Sequence, residues 1–169
     1  MGVRTAAATL EGDGMRFIAI TGTGHSIVMD NAQGDTGARP AELLLVAQAG
    51  CTAMDVISIL RKQRQAVINY EVRISGAQRS DPHPHVFEQI WITHVIEGKV
   101  NVETVRRAIK LSATRYCTVT GNLASGVAEI HHEYLVSDDT GVEHHGEVVV
   151  TGPGESPDHL GSEPVSAMA

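Results

Sequence analysis

Apolar and polar residues alternate in short runs through the first thirty positions. The pattern predicts strands at Val3 to Leu10, Met15 to Thr21 and roughly His25 to Met29. The Gly-Asp-Gly turn at 12–14 joins the first two as a hairpin, and the third completes a meander before the loop Asn31 to Arg39. From Leu43 to Leu60 apolar residues fall on every side of a helical wheel. Pro40 suits the first turn of a helix, Glu42 favours its positive end, and the cations of Arg61-Lys62-Gln63-Arg64 favour its negative end. These signals predict a helix of about 24 residues, enclosed on most sides and central to the fold. Tyr70, Val72 and Ile74 then alternate with Glu71, Arg73 and Ser75, a strand with one wet face. After the turn Ser80 to Pro84, a strand over Val86 to Ile96 is apolar on both faces, as in an interior strand or a subunit interface. Asn101 caps a second helix of about 102 to 116 whose stripe is Val102, Val105, Ile109 and Ala113. A last strand is expected from Gly126 to Val136. Together these elements describe an α+β domain over 1–136, followed by a C-terminal extension, 137–169, that is irregular or partly disordered except for a β-prone island at Glu147 to Val150. No internal repeat at solenoid spacing is evident.

Composition narrows the class. A chain of 169 residues suits one domain with a tail, and with 42% hydrophobic but only 4% aromatic residues its core must be built from Ala, Val, Ile and Leu. The formal charge of −7 disfavours nucleic acid and anionic membrane surfaces as partners, which leaves a small molecule. The apolar helix is long enough to raise a membrane question, but Gln48, Thr52, Asp55 and Ser58 interrupt it, and Asp is costly at mid-bilayer. The opening Met-Gly-Val-Arg-Thr has no basic stretch leading into an apolar core, so a cytoplasmic protein is expected. There, two cysteines are free thiols or a transient redox pair rather than a structural disulfide.

Those cysteines, Cys51 in the central helix and Cys117 after the second, are the best lead to chemistry. They are too far apart in sequence for a CxxC motif or a short zinc clip. On the helix, Gln48 and Asp55 share the face of Cys51. An unpaired Asp55 carboxylate would raise the thiol pKa, so a reactive Cys51 needs a compensating cation or an Asp55 engaged elsewhere. Gln48 could donate a hydrogen bond to sulfur or substrate. The histidine clusters at 83–85, 131–132 and 144–145 do not match a metal motif, and the neighbours His131 and His132 would face opposite sides of a strand. No phosphate loop or nucleophile elbow occurs either.

The run Arg39-Pro40-Ala41-Glu42-Leu43-Leu44-Leu45, followed by Gly50-Cys51-Thr52-Ala53-Met54-Asp55-Val56 and later by Tyr116-Cys117-Thr118-Val119, resembles the OsmC/Ohr family, in its less characterised branch. The resemblance covers about residues 3 to 136. It implies antiparallel sheets wrapped around a long buried helix, an intertwined homodimer with active sites at the interface, and reduction of organic hydroperoxides by Cys51 as peroxidatic and Cys117 as resolving thiol. A thiol or dithiol reductant would then reopen the disulfide, and the resemblance implies no metal or organic cofactor. In the better-known branches an N-terminal arginine pairs with a glutamate ten residues before the first cysteine. Here that position is Ala41, and Glu42 lies nine before. Nine helical residues span roughly 13–14 Å, so Glu42 would act only by anchoring an arginine, with Arg16 the first candidate and Arg4 and Arg39 weaker ones. The alternative is a non-catalytic dimer that binds a small hydrophobic ligand and keeps its cysteines as core residues.

Overall fold

The computed structural model describes residues 2–126 and 129–151. Contacts divide the chain into two compact units, one up to Val46 and one from Ala47. In the first, β1 (Ala6–Leu10), β2 (Phe17–Thr21) and β3 (Ser26–Met29) form the expected antiparallel meander, with Phe17 opposite both Leu10 and Met29. Asp30 pins the loop that follows. Its carboxylate accepts from the Thr36 hydroxyl at 2.6 Å and from the backbone N–H of Asn31 at 2.7 Å, and the Thr36 bond leads in holding its pKa below the usual carboxylate value. A Cβ at Gly34 would collide with that same carboxylate, so the loop needs glycine there.

Helix α1 (Pro40–Lys62) starts where proline and glutamate predict. Glu42 reaches back to accept the backbone N–H of Arg39 at 2.9 Å, the reciprocal half of a capping box. Its burial differs from expectation. In the single chain, Gln48, Thr52, Val56 and Leu60 are its buried residues, an i, i+4 stripe, while Met54 is 73% exposed. Although α1 is long and apolar enough to cross a membrane, this stripe packs into the core of the second unit.

That core stands on a four-stranded sheet in the order β4 (Ala66–Gln78), β5 (Phe87–Lys99), β6 (Glu129–Ser137) and β7 (Glu143–Thr151). Pairing is antiparallel at each end and parallel between β5 and β6, a relation that requires the long crossover between them. The crossover carries α2 (Val102–Leu111), a π-helical turn (Ser112–Tyr116) and α3 (Thr118–Leu123). Val56 and Leu60 of α1 pack with Ile96, Val100, Val105, Ala108, Ile109 and Val136, and each fully buried aliphatic side chain contributes about 1.5–3 kcal/mol.

Three sequence expectations change here. The second helix does not run regularly to 116, because its last turn widens into the π form. The β-prone island becomes a nine-residue strand, β7, so the sheet continues into the segment expected to be irregular; residues 152–169 lie outside the described residues. β5 is interior to the sheet, one of the two readings of its pattern, but only one face is fully buried, through Ile90, Ile92, His94 and Ile96, while Trp91 and Val95 on the other are partly covered.

Candidate active site

Cys51 lies midway along α1, and Cys117 lies where the π turn hands over to α3. The wide turn shifts the register by one residue relative to a regular helix, and Cys117 becomes the N-cap of α3, its Sγ accepting the backbone N–H of Thr120 at 3.3 Å. π turns of this kind occur frequently at functional sites. The fold brings the two thiols together. One ligand atom each from Cys51, Asp55 and Cys117 lies within 4.8 Å of the others, and both cysteines are free.

The two thiols differ in environment. Cys51 is half-buried, whereas Cys117 is buried beneath Gln48, whose amide nitrogen is 3.8 Å from its sulfur and donates to Thr120 Oγ1 at 2.8 Å. Burial pushes the Cys117 thiol up to about 11; a hydrogen bond with Cys51 adds to the shift and the Thr120 contacts oppose it. Cys117 is therefore protonated at neutral pH. The Gln48 amide thus lies against Cys117, with its carbonyl oxygen buried and unpartnered among the described residues.

Asp55 heads a row of polar groups that the sequence did not reveal. Its Oδ2 accepts from Ser112 Oγ at 3.0 Å, Ser112 Oγ lies 3.0 Å from Thr52 Oγ1, Thr52 Oγ1 is 3.5 Å from His94 Nε2, and His94 Nδ1 is 2.7 Å from the Tyr70 hydroxyl. Each hydroxyl has one proton to give. With Ser112 donating to Asp55, Thr52 must donate to Ser112, His94 must donate from Nε2, and Tyr70 must donate to Nδ1. The row thus fixes the histidine tautomer and aims every donor toward Asp55. Burial raises the Asp55 pKa against the lowering effect of Ser112, raises that of Tyr70 with the Asp55 charge adding, and holds His94 down at about 3, so its imidazole is neutral. The one legible sign of this row was Thr52 falling on the same helical stripe as Gln48, Val56 and Leu60. Ser112, His94 and Tyr70 gave none.

Within the first unit the candidate cations make their own pairs. Arg16 Nε is 3.0 Å from Glu11 Oε2, and Glu42 pairs with Arg39 at 3.1 Å, so the arginine that Glu42 anchors is Arg39. Asp55 makes no ion pair among the described residues, so its charge is offset by hydrogen bonding alone. His131 and His132 do face opposite ways: His131 meets Glu147 at 2.7 Å, and His132 is fully buried.

Two cavities open here, one at Cys117 and one at Asp55. One, of about 330 Å³, is lined by Cys117, Thr120, Ala113 and Tyr116; the other, of about 490 Å³, by Asp55, Ile59, Leu111 and Tyr116.

A long helix with one thiol, a crossover that returns the second, and a mixed sheet beneath define an OsmC-like protein, and the OsmC-like protein family model matches residues 32–131. The chain belongs to that family. It is similar to Protein YhfA of Escherichia coli (strain K12), 38% identical over 125 residues that make up 73% of this chain and 92% of YhfA. Its fold is close to that of a hypothetical protein from Aquifex aeolicus VF5, with a TM-score of 0.74, 30% identity and coverage of 82% of this chain and 99% of that one. The organic hydroperoxide resistance protein OsmC from Legionella pneumophila shares the fold at a TM-score of 0.59 and 12% identity, over 80% of this chain and 97% of that one.

Proposed function

We propose that the protein is a thiol peroxidase that reduces organic hydroperoxides in the cytoplasm, acting as a homodimer and recycled by a thiol or dithiol reductant. The observation that carries this reading is the approach of the Cys51 and Cys117 sulfurs to within 4.8 Å, from two separate elements of the chain. Cys51, the more accessible thiol, attacks the peroxide as thiolate. The O–O bond breaks, sulfur gains an oxygen as sulfenic acid, and the alkoxide leaves with a proton as alcohol. Cys117 then attacks the Cys51 sulfur, the hydroxyl leaves as water, and a disulfide forms that an external dithiol reduces. An alkyl group packed on Ile59, Leu111 and Tyr116 gains about 0.8 kcal/mol per buried CH₂, which favours organic over hydrogen peroxide. The family likeness to proteins named for organic hydroperoxide resistance supports the same reading.

The test follows tert-butyl hydroperoxide consumption with a dithiol reductant. Wild type should turn over and, without reductant, show a Cys51–Cys117 disulfide by mass spectrometry. Cys51→Ser should be inactive, and Cys117→Ser should consume one equivalent and hold a sulfenic acid that dimedone traps. Turnover that survives Cys51→Ser would overturn the proposal.

A further inference from the structure

We propose that Asp55 is the acid–base group of the thiol pair, taking the proton of Cys117 as that thiol attacks the Cys51 sulfur and passing it to the oxygen that leaves. The leaving oxygen rests on the peroxidase reading. The need for a base does not, because Cys117 must lose the same proton whenever it attacks a mixed disulfide on Cys51.

The need is large. With its thiol pushed up to about 11, only about one Cys117 in ten thousand is a thiolate at pH 7. Among the groups around the sulfur, Gln48 offers an amide and Thr120 a hydroxyl and an N–H, none of them a base at neutral pH. His94 is committed through both nitrogens to Tyr70 and Thr52. Arg115 and Tyr116 line the cavity beside Cys117, and Lys62 shares the other cavity with Asp55, so neither lining adds a second carboxylate or an imidazole. Asp55 is the remaining titratable neighbour of the thiol pair, within 4.8 Å of both sulfurs.

The carboxylate is held for this task. One oxygen is fixed by Ser112, at the end of a row whose donors all point to it, and no ion pair among the described residues neutralises it. The row engages one carboxylate oxygen and leaves the other without a bond from it. Partial burial also raises the affinity of Asp55 for a proton, which narrows the gap to the thiol it must deprotonate. The carboxylate on the same helical face as Cys51 thus becomes useful in the second step. The balance is complete: Cys117–SH, Cys51–S–OH and the Asp55 carboxylate give the Cys51–Cys117 disulfide and Asp55–COOH, with hydroxide leaving; Asp55 returns its proton to that hydroxide as water departs.

Ellman's disulfide reads the base without any peroxide. Cys51 displaces one thionitrobenzoate and keeps the other as a mixed disulfide; Cys117 then displaces the second, and both releases are followed in the full-length protein by absorbance. In Asp55→Asn the first release should be as fast as in wild type or faster, since a repelling charge is gone, while the second should slow about 10²-fold at pH 7. The deficit should shrink as pH rises toward 10, where the thiol ionises by itself. Asp55→Glu should recover part of the second rate, and Ser112→Ala, which keeps the carboxylate, should lose much less than Asp55→Asn. Second-phase rates within twofold of wild type between pH 6 and 8, or a deficit independent of pH, would overturn the role of Asp55. A wild type that shows the Asp55 effect with Ellman's disulfide but forms no sulfenic acid with hydroperoxides would keep Asp55 and remove the peroxidase reading. Normal peroxide turnover in Asp55→Asn would do the reverse.

Discussion

His132 is fully buried on β6 and neither of its ring nitrogens has a partner among the described residues, an arrangement that only a neutral imidazole tolerates. Burial, with the nearby His131 adding, pushes its pKa down to about 4, and burial with His132 adding takes His94 to about 3. Unfolded histidine titrates near 6.5. Below that pH the unfolded chain binds protons that the folded chain refuses, so stability is complete above about 6.5 and falls as pH drops toward 4 and 3. For His132 the full difference is on the order of 3 kcal/mol. Thermal melts from pH 8 to pH 4.5 should show a midpoint that is steady at the alkaline end and declines below 6.5. His132→Leu, which removes two unpartnered polar atoms, should match or exceed wild type at pH 7 and decline less in acid. Identical pH dependence in the two proteins would remove this account. The alternation of His131 and His132 across the strand was legible from the sequence, because a strand's period of two is fixed by backbone geometry. The missing partners of His132 were not, since they depend on what the parallel strand β5 presents beside it.

At the scale of elements, α1 and the crossover locate the chemistry, and they differ in how readable they were. The start of α1 is written in Pro40 and Glu42, residues that act through the backbone of their own first turn. The π turn is not written anywhere obvious: the stripe Val102, Val105, Ile109, Ala113 keeps its helical period into the turn, and Ser112 to Tyr116 contain no glycine or proline. Tertiary packing, with Ser112, Ala113 and Thr114 all buried, widens the chain there and moves Cys117 to the cap of α3. The same separation holds for the site. Gln48 and Asp55 were readable as helical neighbours of Cys51, whereas Ser112, His94 and Tyr70 arrive from three other elements. If the stripe on α1 is what holds the helix to the second unit, Leu60→Ala should cost about 2–5 kcal/mol in urea unfolding, because Leu60 is fully enclosed and its cavity cannot collapse freely. A loss below 1 kcal/mol would mean that α1 is held by something other than this stripe.

For the whole molecule the informative quantity is the apolar surface that one chain leaves in water. The pattern of α1 predicted enclosure on most sides, yet Leu44 and Val46 are 45% and 61% exposed, and Met54, one turn from Cys51, is 73% exposed. An all-round apolar helix with one covered stripe is unfavourable for an isolated chain, and a cover of the same composition, a second copy, meets the expectation that a single chain leaves unmet. The sequence showed how much cover the helix needs, but a pattern of residues carries no mark of whether that cover comes from the same chain. Equilibrium sedimentation should therefore find a dimer, with a thermal midpoint that rises with protein concentration. Met54→Glu should shift the population toward monomer and lower the midpoint, since a buried unpaired carboxylate is costly at an interface whereas an exposed one is neutral. A wild type that stays monomeric at tens of micromolar, or a Met54→Glu protein that associates as tightly as wild type, would show that this face of α1 meets solvent rather than a second copy.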